Sequence, residues 1–121
     1  MSTQTKIKAE FESAKTTAHT GIGAAFAALG APLANPAQVL LITNTCNDGS
    51  GNPISVWLSI DGSTDQFLVA GYQQIEINVA ANKQGLSQLA FPKGTQFYVK
   101  QGPDGAPAGG DISVTAVYGG N

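Results

Sequence analysis

Apolar and polar residues alternate with a period of two along most of this chain, the mark of strands that bury one face. Between Lys6 and Glu12, Ile7, Ala9 and Phe11 share one side and Lys6, Lys8, Glu10 and Glu12 the other. Ile54, Val56, Leu58 and Ile60 form a second apolar face, with Ser55, Trp57 and Ser59 opposite. Ile75, Ile77 and Val79 alternate with Glu76 and Asn78, and Phe97 and Val99 with Gln96, Tyr98 and Lys100. Ile112, Val114, Ala116 and Tyr118 alternate with Ser113 and Thr115. Val39 to Thr45 is too apolar to alternate and reads as a strand buried on both faces. Gln66 to Ala70 reads as a further short strand.

Turn chemistry separates these runs. Asp48-Gly49-Ser50-Gly51-Asn52-Pro53, Asp61-Gly62, Pro92-Lys93-Gly94 and the Gly- and Pro-rich stretch from Gly102 to Gly110 are breakers. Asp61-Gly62 is a hairpin signal, because Gly tolerates the positive φ such turns need. Ala24 to Leu29 is ambiguous. Its helix formers end at Gly30 like a helix, yet Ile22, Ala24, Phe26 and Ala28 suit a strand equally. The sum is about seven or eight short antiparallel strands, hence an all-β, jelly-roll-like β-sandwich. The whole chain, 1–121, is expected to form one domain, with 1–20 an edge strand or arm.

Charge sharpens the picture. Only 12% of the 121 residues are charged, there are six Lys and no Arg, and the formal net charge is −2. A typical domain carries about twice that density of charge. Without Arg forks or a basic stripe, binding to nucleic acid is not expected. The polar surface falls to Ser, Thr, Asn, Gln and Gly, and such a neutral surface suits packing against other protein. The Met1–Phe11 segment is too polar for a signal peptide, so synthesis in the cytoplasm without one is expected. Gly21 to Ala37, broken by Gly30, Pro32, Asn35 and Pro36, cannot span a bilayer, and no membrane partner is expected.

Candidate chemistry is sparse. His19 is the sole histidine and no Gly-x-Ser-x-Gly frames a serine, so His19 reads as a structural residue rather than a relay base. Cys46 is the sole cysteine and reads as a small buried hydrophobe. Asp48, Ser50 and Asn52, and Asp61, Ser63 and Asp65, imitate calcium-ligand runs. Both lack the Glu that would close an EF-hand, since Ser59 and Tyr72 stand there, and both read as turns. No catalytic residue, metal or cofactor is expected. Trp57 is the most informative side chain. It sits opposite the apolar face of its strand, covered either by another part of the chain or by a partner. With it, Ser55, Ser59, Phe11 and Tyr72 are the candidates for a partner interface.

Four segments, in consistent order, resemble a group of small virion proteins of tailed bacteriophages. They are Asn35–Thr45; Ser59–Phe67, with its Asp61-Gly62-Ser63-Thr64-Asp65 turn; Lys93–Lys100; and Gly110–Gly119, which holds Val114-x-x-x-Tyr118-Gly119. The resemblance covers roughly residues 20 to 119. The Asp48–Pro53 segment is longer than the group implies, and the first fifteen residues lie outside the likeness. The resemblance implies a jelly-roll-like sandwich acting as a capsid decoration, or cement, protein on the virion surface. It tips Ile22–Ala28 toward strand. The implied partners are a major capsid protein and other copies of the chain, as a dimer or trimer. The alternative is a tail, vertex or fibre-associated adaptor, binding carbohydrate through Trp57 and Tyr72.

Overall fold

A computed structural model describes residues 8–79 and 90–120, and these form two antiparallel sheets with no α-helix among them. The strands are β1 (Lys8–Phe11), β2 (Lys15–Ala18), β3 (Ala27–Ala28), β4 (Val39–Asn44), β5 (Val56–Ser59), β6 (Phe67–Val69), β7 (Gln73–Asn78), β8 (Tyr98–Gln101) and β9 (Asp111–Gly120). One sheet runs β1-β9-β4-β7, with β2 also paired to β9; the other runs β3-β8-β5-β6. The pairings are nested: β1 and β2 with β9, β3 with β8, β4 with β7, β5 with β6. The chain is thus one long hairpin with its tip between β5 and β6. Rolling it brings β4 beside β9 and β5 beside β8. That is the jelly-roll order expected from the sequence.

The core lies between the sheets. Leu40, Ile42, Ile112, Val114 and Ala116 face Val56, Leu58, Val69 and Val99, all at most 1% exposed. Asn44 ties the sheets together from inside. Its Nδ2 donates to Ile54 O at 3.0 Å and Val69 O at 2.9 Å, and its Oδ1 accepts from Cys46 N at 2.8 Å. One buried side chain thereby reaches three buried backbone groups, which a fold of this kind must keep paired.

Several expectations change. The segment Ala24–Leu29 is not helical; only Ala27–Ala28 forms a strand, with Leu29 N continuing the pairing onto Phe97 O at 2.8 Å. β4 alternates: Leu40, Ile42 and Asn44 point inward, whereas Val39, Leu41 and Thr43 are half-buried on the outer face. It is not buried on both sides, because no third layer lies over its sheet among the described residues. Ile60 leaves the apolar face of β5, which ends at Ser59, and is 38% exposed.

The N-terminal strand faces the opposite way from its pattern. Phe11 pairs with Val117 on the outer face and is 64% exposed. Lys6 and Ile7 lie outside the described residues. Lys15 then pairs with Val114, so that Glu12, Ser13 and Ala14 oppose only Thr115 and Ala116. The extra residue is a β-bulge, and it exchanges the faces of the chain on its two sides. Lys15 is turned inward as a result and is only 9% exposed.

Candidate functional site: the outer face of the β3-β8-β5-β6 sheet

Val56 and Leu58 are buried, so Trp57 between them points outward. Its cross-strand neighbours are Leu68 on β6 and Lys100 on β8. The β3–β8 register carries the same row on to Phe26, whose ring lies 4.7 Å from the Lys100 ammonium. Phe26, Lys100, Trp57 and Leu68 therefore form one line across all four strands. Leu68 is 47% exposed and the other three are half-buried.

The single charge in this line is neutralised locally. Lys100 Nζ lies 2.6 Å from Asp65 Oδ1. Asp65 belongs to the connection between β5 and β6, which is held open by Asp61. The Asp61 Oδ1 accepts from Ser63 N at 2.8 Å, Thr64 N at 2.9 Å and Ser59 Oγ at 2.7 Å. Hydrogen bonds from the Ser63 backbone, the Ser59 hydroxyl and the Thr64 backbone hold the Asp61 carboxyl far below the usual carboxylate range. Gly62 (φ +76°) passes over Tyr98, whose ring atoms would lie 3.2–3.3 Å from any Cβ there. The Asp61-Gly62 hairpin signal thus marks the right place. The connection, however, spans residues 60–66 wound round a carboxylate, not a tight two-residue turn.

The five interface candidates fall in four places. Trp57 and Ser55 belong to this outer face. Ser59 is fully buried and its oxygen is engaged inside the turn, also accepting from Asp61 N and Gly62 N, so it offers no surface to a partner. Phe11 lies on the other sheet, in a row with half-buried Val117 and Val39. Tyr72 is beyond the end of β6, in the left-handed region (φ 59°), with its hydroxyl donating to Gly51 O at 3.0 Å. Sequence reasoning missed Phe26, Lys100 and Leu68, because their alignment with Trp57 exists only through strand register. It also missed Val39 and Leu41, although the unbroken run Val39–Ile42 must turn half its residues outward unless something covers them.

The remaining polar candidates have local partners. His19 Nδ1 donates to Gly110 O at 3.1 Å, pinning the β2–β3 turn to the start of β9. Asp48 accepts from Ser50 N, Asn52 N and Asn52 Nδ2 at 2.8, 3.1 and 2.8 Å, so its oxygens are filled by its own loop. Burial, with the Asp111 charge second, pushes the Cys46 thiol up to about 11. No protein-family model, curated protein or solved structure matches this chain.

Proposed function

We propose that this protein is a non-catalytic structural component of a virion that binds the outer surface of the capsid and stabilises the shell. The observation that carries the reading is the line Phe26–Lys100–Trp57–Leu68, an apolar strip spanning a whole sheet with its one charge already paired. Such a strip can be buried against another protein without leaving a charge unpaired, which is what a neutral interface core requires. The jelly-roll strand order agrees with the fold implied by the likeness to phage decoration proteins. The partner is then the major capsid protein, and copies of the chain associate as a dimer or trimer. The mechanism is mass action: a protein that binds only the assembled lattice stabilises that lattice.

Copy number tests this directly. Quantitative mass spectrometry of purified virions should find the protein at the scale of the capsomers. A count at the scale of one tail or one vertex would replace decoration with the adaptor reading.

A further inference from the structure

The bulge between β1 and β2 brings three side chains into an arrangement with chemical consequences. Lys15, turned inward, places Nζ 3.4 Å from Glu12 Oε1, and the two side chains are only 9% and 8% exposed. The other carboxylate oxygen of Glu12, Oε2, accepts from Asn35 Nδ2 at 3.2 Å and from Asn35 N at 2.8 Å. Ala34 N adds a bond to Oε1 at 3.2 Å. One shielded carboxylate therefore bridges a primary amine and a carboxamide that lie twenty residues apart in the chain. Gly30 (φ +68°) lets the backbone approach so closely that any Cβ there would meet Lys15 Cβ at 2.7 Å. The base of the Lys15 side chain therefore packs directly against the Gly30 backbone.

We infer that Lys15 and Asn35 form an intramolecular amide cross-link after folding, with Glu12 as the proton carrier. The inference is independent of any role at a capsid. In the first step Glu12 takes one proton from the Lys15 ammonium, leaving a neutral amine. The Nζ lone pair attacks Asn35 Cγ, forming the Nζ–Cγ bond. Glu12 then carries protons from Nζ to Nδ2, the Cγ–Nδ2 bond breaks, and nitrogen departs as ammonium. The balance closes: an ammonium and a carboxamide give a secondary amide and an ammonium ion, with no oxidant, reductant or co-reactant. Lys15 Nζ and Asn35 Nδ2 each contact the same carboxylate, at 3.4 and 3.2 Å, and that shared contact is the proximity on which the inference rests. The hydrogen bonds and the Lys15 charge that keep Glu12 ionised also make its protonation uphill, so the reaction is slow. Asn35 is followed by Pro36, which has no backbone N–H. Cyclisation onto the next amide, the usual route of asparagine decay, is closed to it. The product would fasten edge strand β2 to the segment before β4 with a covalent strap.

Intact-mass spectrometry of the full chain, followed over days at neutral and mildly alkaline pH, tests this. The wild type should become lighter by one ammonia, and a digest should contain a branched peptide joining the Lys15 and Asn35 segments. Lys15→Arg keeps a cation beside Glu12 but supplies no attacking amine, and should keep its full mass. Asn35→Ala should do the same, and Glu12→Gln should slow the loss at least tenfold while the circular dichroism stays that of a folded protein. Full mass in aged, folded wild type overturns the inference. So does an equal loss of ammonia in Lys15→Arg, which would locate the change elsewhere.

Discussion

The ammonium of Lys100 lies 4.7 Å from the centroid of the Phe26 ring while its other side is held 2.6 Å from Asp65 Oδ1. A cation over a ring at a partly exposed site contributes about 0.5–1 kcal/mol, and a surface ion pair a similar or smaller amount. Lys100→Met keeps the stem and removes both interactions. It should lower stability by about 2 kcal/mol at most, read from chemical denaturation. If the proposed capsid contact is made by this strip, the same change leaves Asp65 without its cation there and should weaken that binding more than folding.

Asn44 is the side chain whose loss the fold should tolerate least. It is fully buried, and its amide satisfies the carbonyls of Ile54, just before β5, and Val69, on β6, and the N–H of Cys46, just beyond β4. Asn44→Ala strands all three, at about 1–3 kcal/mol for each buried unsatisfied group. A drop of about 3 kcal/mol or more is expected in urea unfolding. Asn44→Asp should be no better, since it cannot donate to Ile54 O or Val69 O. A change under about 1 kcal/mol would mean that water takes over those bonds.

These two residues show what could be read from the sequence. The strands β5, β7, β8 and β9 have an apolar partner set on one face of a sheet, so period two alone fixes which side is buried. Asn44 continues the inward phase of Leu40 and Ile42, but no sequence rule says that its amide will meet carbonyls of the opposite sheet. The N-terminal strand fails for another reason. Its apolar residues alternate correctly, yet the bulge at Glu12–Ala14 depends on pairing with β9, a hundred residues away, and reverses the faces. Trp57 could be picked out alone because it is a large aromatic among serines. Its row-mates required the register.

Acid should unfold the protein through its tied carboxylates. Burial alone would raise the Glu12 pKa, but the bonds from Ala34 and Asn35 and the Lys15 charge outweigh it, so the net shift is downward. Asp48 and Asp61 are lowered by hydrogen bonds within their own loops. A lowered folded pKa means that the unfolded chain binds protons first as pH falls. The stabilisation is fully present above the ordinary carboxylate range and is lost as pH falls toward the lowered folded values. Melting temperature should therefore decline below about pH 5. Glu12→Gln should start lower at neutral pH and decline less steeply. Parallel curves would assign the acid sensitivity to other groups.

Cys46 should be silent until the fold opens. The thiol is fully buried and its pKa is pushed up to about 11, so little thiolate exists at neutral pH. Native protein should resist a thiol reagent such as iodoacetamide, and labelling should appear together with the unfolding transition in urea. Rapid labelling of the native state would mean that the end of β4 opens locally, apart from the rest of the sandwich.

The last prediction tests the proposed contact with the capsid. Trp57 is half-buried on an outer face, between Leu68 and Lys100, with Val56 and Leu58 beneath it facing the core. Truncating it removes contacts within that face but opens no cavity between the sheets. Trp57→Ala should therefore stay folded, with a stability loss below the roughly 3–5 kcal/mol of a fully packed aromatic. On the proposed role, binding to undecorated capsids should suffer more, because a central aromatic anchor contributes about 2 kcal/mol or more to an interface. Salt should matter little: Lys100 is paired within the chain, and screening acts on charges rather than on apolar burial. A melting curve beside a capsid-sedimentation assay at low and high salt separates these effects. Binding that survives Trp57→Ala but is stripped by modest salt would show that the contact is made by charged groups elsewhere, and the apolar strip would then have no part in it.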